Sequence, residues 1–379
     1  MNEIKTQFTY NERILTLLRF PKRANESFQA WDAGDEYLIH YVEGMDLKEQ
    51  RNILILNDHF GALSCWFAEK HNVTLMSDSY ISHQGTLNNL KRNQSPHIQF
   101  MHCLDNIADN IDLVLFQLPK SNRLLTWQLS QLKRSIRKDC PVIAVNKAKD
   151  IHSSTLALFE KHLGTTTTSL AKKKHRLIFS RADNINPAEA PSVIEWHVDG
   201  ENYSLQNFAN VYSGESLDLG ARFMLQHIPA SPDIKHIIDL GCGNGVLSIK
   251  AGQLNPQAKI TSVDESFMAV ESARINLTSA LGSDREIDCI ANNCLDGFDK
   301  SCADLVLCNP PFHQQNAITD HIAWQMFCDA KHVLNTDGKL LVIGNRHLGY
   351  DKKLARLFGN NKVSLIASNN KFVILQATK

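Results

Sequence analysis

Three stretches of this chain carry side chains whose type and spacing could do chemistry. Ile237-Ile-Asp-Leu-Gly-Cys-Gly-Asn-Gly-Val-Leu-Ser248 passes from apolar residues into a glycine-rich turn and then a helical pattern. That is the form of a buried strand entering the first crossover of a doubly wound sheet. Gly241, Gly243 and Gly245 let a ligand approach the backbone where a Cβ would intrude. Asp239, at the strand's carboxyl end, can accept a hydrogen bond from a ligand amine. Nineteen residues after Gly245, Thr261-Ser-Val-Asp264 ends the next strand in a carboxylate placed for a ribose diol. Leu305-Val-Leu-Cys-Asn-Pro-Pro-Phe312 ends a further strand in Asn-Pro-Pro-Phe.

Asn-Pro-Pro-Phe suits a planar amine. An exocyclic amine on a heteroaromatic ring delocalises its lone pair and is a poor nucleophile. Asn309 Oδ1 and the Pro310 carbonyl can accept its two N–H bonds, drawing the nitrogen towards sp³. The prolines preset both acceptors by fixing φ, and Phe312 offers a face for a flipped-out base. The reaction then needs positioning and electrostatics, with no nucleophilic side chain and no metal. His313 reads as a polar neighbour, and Trp324, Met326 and Phe327 as core at helical spacing. Asn345-Arg-His347 reads equally as a substrate contact or a solvated turn.

The elements that hold these residues occur twice. Ile53-Leu-Ile-Leu56 reads as a buried strand, and placing Gly61 on Gly245 also matches Leu56 with Leu240, Leu63 with Leu247 and Ser64 with Ser248. Val73-Thr-Leu-Met-Ser-Asp78 ends in a carboxylate like Asp264, and Ile111-Asp-Leu-Val-Leu115 matches Ala303-Asp-Leu-Val-Leu307. Gly164–Phe179 aligns without gaps on Gly359–Ile374, pairing Ser169 with Ser364 and Leu177 with Phe372; each reads as a hairpin closing a sheet. The first copy has lost its chemistry. Asn57, Asp58, His59 and Phe60 stand for Gly241, Cys242, Gly243 and Asn244, and Gln117-Leu-Pro-Lys120 for Asn-Pro-Pro-Phe. The reading is an α/β chain of two domains: a degenerate one over 1–181, a polar, proline-bearing linker over 182–192, and a catalytic one over 193–379. Residues 8–18 read as a mixed-polarity lead-in, and Phe28–Leu38 as an amphipathic helix. Val193–Val198 and Tyr203–Gln206 read as a hairpin.

The 379 residues suffice for two domains, and 43% apolar with 21% charged content suits a globular protein. The N-terminus has no apolar run long enough for a signal peptide or membrane span. Nine cysteines without a C-x-x-C pair read as reduced thiols of a cytoplasmic enzyme, not disulfides or zinc ligands. Residues 1–190 hold 24 Lys+Arg against 20 Asp+Glu, and the remainder 16 against 20. Lys172, Lys173, Lys174 and Arg176 lie in the closing hairpin of the first copy, where the second has Ser-Asn-Asn-Lys371. With Lys133, Arg134, Arg137, Lys138, Lys147 and Lys149, they suit contact with RNA phosphates.

Asp-Leu-Gly-Cys-Gly-Asn-Gly resembles motif I of S-adenosylmethionine (AdoMet)-dependent methyltransferases, and Asn-Pro-Pro-Phe motif IV of those that methylate planar amino nitrogens. Over essentially its whole length the chain resembles the bacterial ribosomal RNA guanine-N2 methyltransferases. It is most similar to their large-subunit branch, which acts on guanine 1835 of 23S rRNA. Ile53–Ser64, Gly164–Ser169, Asp239–Gly245, Asn309–Gln315, Ala323–Phe327 and Asn369–Phe372 carry the resemblance. It implies two tandem Rossmann-like class I methyltransferase domains, the first degenerate, with AdoMet as methyl donor and 23S rRNA as partner. Neither a membrane nor an obligate protein partner is implied. Asn293, with Asn292 as alternative, stands where the family places a side chain on the adenine amine. The segment of Asp218 and Arg222 either covers the cofactor's methionine end or is an i,i+4 surface pair. Other readings are a 16S rRNA guanine-N2 enzyme, a protein glutamine-N5 methyltransferase, against which Phe312 counts, and an RNA-binding factor with a vestigial site.

Overall fold

The computed structural model describes residues 5–23, 26–189, 193–311 and 317–379, without the side chains of 317–320. The chain divides after residue 192 into two units. The first opens with an antiparallel hairpin, β1 (Gln7–Tyr10) and β2 (Arg13–Thr16), then α1 (Ala33–Glu43). There follow β3 (Asn52–Leu56), α2 (Ala62–Phe67), β4 (Asn72–Met76), α3 (Tyr80–Arg92), β5 (Gln99–Met101), β6 (Leu113–Gln117), α4 (Asn122–Ser135), β7 (Pro141–Lys147), α5 (Ser153–His162), β8 (Thr166–Thr168) and β9 (His175–Arg181). The second repeats the plan. It runs through β10 (Ile194–His197), β11 (Ser204–Asn207), α6 (Leu219–Leu225), β12 (His236–Leu240), α7 (Val246–Leu254), β13 (Lys259–Asp264), α8 (Phe267–Leu281) and β14 (Ile287–Ala291). It ends with β15 (Ala303–Cys308), α9 (Ala317–Val333), β16 (Leu334–Asn345), α10 (Tyr350–Phe358), β17 (Val363–Ser368) and β18 (Phe372–Thr378).

Each unit builds one seven-stranded sheet of the same order: β5-β4-β3-β6-β7-β9-β8 and β14-β13-β12-β15-β16-β18-β17. Only the closing hairpins run antiparallel. Alternate residues of β12 point to opposite faces. Ile237 packs with α6, α7 and α8, whereas Ile238 and Leu240 pack with residues of α9 and α10. A sheet covered on both faces requires near-continuous apolar strands, which Ile53–Leu56 and Leu305–Cys308 supply.

Strand pairing fixes which residues correspond. Met101, Met76, Leu56, Phe116, Ala144, Ile178 and Thr168 form one row across the first sheet. Ile290, Val263, Leu240, Cys308, Val342, Leu375 and Leu365 form the same row in the second. The rows support the match at the central strands and correct it at two places. Ile178 corresponds to Leu375, so Leu177 matches Ile374, not Phe372, and the closing hairpins are displaced by two residues from the gapless alignment. A two-residue slip leaves the in–out alternation intact, so the pattern could not reveal it. Ser77, not Asp78, takes the place of Asp264.

The lead-in is more ordered than its composition suggests. Residues 8–18 form most of the β1–β2 hairpin, turning at Asn11-Glu12 with both φ positive (44° and 67°). The amphipathic helix starts later than Phe28: Asp32 caps α1 and forms a reciprocal capping box with Asp35.

Candidate active site

The glycine-rich turn joins β12 to α7. Gly245 caps α7 at φ 81°, and a Cβ there would lie 3.1 Å from the Ala273 backbone of α8. Glycine here lets helix and turn approach. Gly243 also has positive φ, but a Cβ on it would meet nothing within 4 Å; its bareness serves space above the turn, not packing. A Cβ on Gly241 would stand 3.3 Å from Met326 Cε and 3.9 Å from the Asn309 carbonyl oxygen. The turn, the end of β15 and α9 therefore meet at one point. Met326 is core, as its spacing suggests, and also closes over the turn, which its spacing does not reveal.

Asp239 is fully buried at the end of β12. Its Oδ2 accepts from Ser248 N (3.1 Å) and Ser248 Oγ (2.6 Å), while Oδ1 is buried with no partner among the described residues. Burial pushes its pKa up to about 6 against the pull of those two hydrogen bonds. Asp264 ends β13, partly exposed. Its Oδ2 accepts from Gly243 N and Oδ1 from Ser266 N, each at 3.0 Å. Burial raises its pKa, while these N–H groups oppose the shift. A carboxylate oxygen has two lone pairs, so Asp264 can brace the turn and still accept from a diol.

Asn292 N donates to Asp264 O (2.9 Å), which brings the segment after β14 beside that carboxylate. Asn293 is buried, with Nδ2 donating to Asp296 Oδ2 at 2.6 Å. Among the described residues Asn309 Oδ1 is buried without a hydrogen-bond partner, and Pro310 is buried beside it. Phe312 and His313 lie outside the described residues. Asn345, at the end of neighbouring β16, also carries a buried, unpartnered Oδ1.

Among the described residues three buried acceptors, Asp239 Oδ1, Asn309 Oδ1 and Asn345 Oδ1, thus stand unpaired at the carboxyl edge of neighbouring parallel strands, where doubly wound sheets bind ligands. Leaving such groups unmade costs free energy. They suit a ligand that brings donors.

Residues 5–184 match the family described as RLMG N-terminal domain, and residues 202–376 match the methyltransferase small domain. "Ribosomal RNA large subunit methyltransferase G" of Vibrio campbellii is 66% identical over 376 residues, covering 99% of this chain and 98% of its own. The protein of that name from Aliivibrio fischeri strain MJ11 is 64% identical over 377 residues, 99% of both chains. The chain belongs to the ribosomal RNA large subunit methyltransferase G family.

For a member of that family the tandem layout has a solved counterpart. The T. thermophilus 16S rRNA N2 G1207 methyltransferase (RsmC), in complex with AdoMet and guanosine, covers 99% of this chain and 97% of its own at a TM-score of 0.77. At 17% identity the likeness establishes the fold.

The remaining expected residues are placed less simply. The i,i+4 pair of Asp218 and Arg222 does not form: Asp218 caps α6, with Oδ2 accepting from Ala221 N, and Arg222 lies 3.8 Å from Asp199. A carboxylate at a helix start is nearer its own amide groups than a side chain one turn on. In the first unit Lys172, Lys173 and Lys174 are exposed in the β8–β9 turn. Lys173 is held by Glu36 at 2.6 Å, Lys172 lies over the Tyr37 ring, and Arg176 buries an unpartnered Nε. One of the four charges is therefore already paired. Among the described residues all nine cysteines are free, no three metal-ligating side chains cluster, and no helix is long and apolar enough to cross a membrane.

Proposed function

We infer that this protein transfers a methyl group from AdoMet to the exocyclic N2 amine of a guanine in 23S rRNA, acting in the cytoplasm. The observation that carries the reading is full-length identity of 66% to a ribosomal RNA large subunit methyltransferase, with Asn309 Oδ1 unpaired where a planar amine would bind. The 17% likeness to a 16S rRNA enzyme speaks for the fold alone and gives the small-subunit reading no weight.

The residues present fit AdoMet. The bare space over Gly243 admits the nucleoside, Asp264 suits the ribose diol, and Asn293 suits the adenine amine through its side-chain oxygen. Asp239 Oδ1 suits the methionine amine. Bound AdoMet supplies an electrophilic methyl group on a sulfonium that departs as a neutral thioether. Asn309 Oδ1 and the Pro310 carbonyl accept the two N2 hydrogens of the guanine and localise its lone pair; Phe312 stacks on the base. Because the acceptors stand just beyond the end of β15 and the prolines fix φ, their contribution is orientation and electrostatics. Lys172, Lys174 and Arg176 are the substrate-binding cations of the first unit, with Lys173 contributing once released from Glu36. The division of labour is 1–181 for RNA recognition and support, 182–192 as linker, and 193–379 for catalysis.

The test is tritium transfer from labelled AdoMet to total RNA from a strain lacking the gene, beside parental RNA. Label confined to 23S rRNA of the lacking strain, recovered as N2-methylguanosine, is expected. Label on 16S rRNA, or on protein alone, overturns the reading.

A further inference from the structure

Asp239 does not stand alone in the interior. Ser248 of α7 donates from Oγ to its Oδ2 at 2.6 Å, and Ser262 of β13 lies 2.7 Å from Ser248 Oγ. All three residues are fully buried. Since the single Ser248 hydroxyl hydrogen is committed to the carboxylate, Ser262 must donate to Ser248. The proton order is fixed: Ser262 to Ser248 to Asp239. Such a chain strengthens link by link, and it points the carboxylate so that Oδ1 is left over.

The first unit shows what the chain is for. In the corresponding row Ile55 stands for Asp239 and Leu75 for Ser262. Ser64 keeps the place of Ser248, but its backbone N–H goes to Asp58, a residue of the turn itself, at 2.7 Å. Where the strand-end carboxylate is lost, the second serine is lost with it. General packing would have no reason to retain one only beside the other.

We propose that Ser248 and Ser262 are positioning residues for AdoMet, a two-hydroxyl relay that keeps the Asp239 carboxylate anionic and aims its free Oδ1 at the donor's amine. This rests on the reading of Asp239 as an amine-binding residue. The titratable groups facing Asp239 are Asp264 at the end of β13, Cys242 in the turn and Cys308 at the end of β15. α7 contributes only the Ser248 donors. Asp264 and burial both push Asp239 towards the neutral acid, and Ser248 opposes them. Without its hydroxyl, protonation reaches higher pH, and the neutral acid cannot pair with an ammonium group.

The experiment is calorimetric titration of the full-length protein with AdoMet from pH 5.5 to 8.5, for the wild type, Ser248→Ala, Ser262→Ala and Asp239→Asn. The alkaline limb belongs to the donor's own amine, with a pKa of about 8; the acid limb belongs to Asp239. For Ser248→Ala the acid limb moves upward, raising Kd about fivefold at pH 6 and less than twofold at pH 8, as for a shift of about one unit. Ser262→Ala moves it the same way by less. A ratio of variant to wild-type Kd that is constant across pH, or no change for either serine, overturns the relay. Asp239→Asn is expected to bind weakly with no acid limb; wild-type binding by that variant overturns the reading of Asp239 itself, and the relay with it. Unfolding temperatures at each pH identify any variant that fails to fold, and Ser262→Ala then stands as the independent test.

Discussion

Asn57 and Gly241 occupy the same place, the first residue beyond the central strand of their sheets, and leave different things behind. Asn57 bonds reciprocally with Gln128 (3.1 and 2.9 Å) and donates to the Gln117 carbonyl at 2.9 Å. Gly241 has no side chain to reach the carbonyl of Asn309, the counterpart of Gln117, from which even a Cβ would stand 3.9 Å away. Gln117 donates from Nε2 to the buried Asp35, while among the described residues its Oε1, like Asn309 Oδ1, is buried without a partner. Asp58 turns its carboxylate onto the start of α2, accepting from Gly61 N and Ser64 N, while Cys242 in the same place makes no such cap. One edge is crossed by its own side chains. The other is bare where AdoMet is proposed to bind.

What both edges share is structural. Gly61 and Gly245 have φ near 80° and face Thr86 and Ala273 at the same point of the following helix. Asn89 and Asn276 each tie the turn to the opening hairpin: Asn89 to the carbonyls of Phe60 and Leu18, Asn276 to those of Asn244 and Gln206. A feature kept in both copies holds the fold; the features of the second alone are the ones proposed to hold a ligand.

This division can be attacked by substitution. Asn309→Ala should lower methyl transfer by about 10²–10³-fold, with AdoMet affinity unchanged by calorimetry; an equal loss of affinity would make Asn309 a scaffold residue. Gly243→Ala should weaken AdoMet binding about tenfold or more and cost about 1–2 kcal/mol in backbone strain, read from binding and unfolding curves. Gly61→Ala and Gly245→Ala should each destabilise their own unit by about 2–3 kcal/mol, from left-handed strain plus crowding. Denaturant melts would read this, and only Gly245→Ala should change AdoMet binding.

The smallest effect concerns Asp35. Its carboxyl is held well above its ordinary pKa by burial and by Asp32 and Asp58. A carboxyl with a raised folded-state pKa stabilises the fold fully below its unfolded pKa and loses that contribution as pH rises through the folded value. Asp35→Asn, which cannot ionise but gives up one of the two oxygens that accept from Asp32 N and Gln117 Nε2, should therefore flatten the fall in the first unit's melting temperature between pH 5 and pH 7.5, read from thermal melts at the two pH values.

Much of this was legible in the residues because glycine turns and strand ends are local. Asp239, Gly241–Gly245, Asp264 and Asn309 each follow an apolar strand, and the sheet brings strand ends to one edge whatever the side chains. The β1–β2 hairpin was hidden because Asn11-Glu12 adopts positive φ at both residues without the glycine that usually marks such a turn. The displaced closing hairpins escaped because a two-residue slip preserves the hydrophobic alternation, and Ser77 for Asp264 because the one-residue difference shows only in the pairing of β3 with β4. The Ser262–Ser248–Asp239 relay joins residues 14 and 9 apart through a pairing that only the fold creates.

The central claim, two copies and one ligand site, is tested most directly by the stoichiometry of AdoMet binding to the full-length protein. One site per chain is predicted, lost or severely weakened in Gly243→Ala and unaffected by Gln117→Ala. Two sites per chain, or a full site surviving Gly243→Ala and lost with Gln117→Ala, would contradict it.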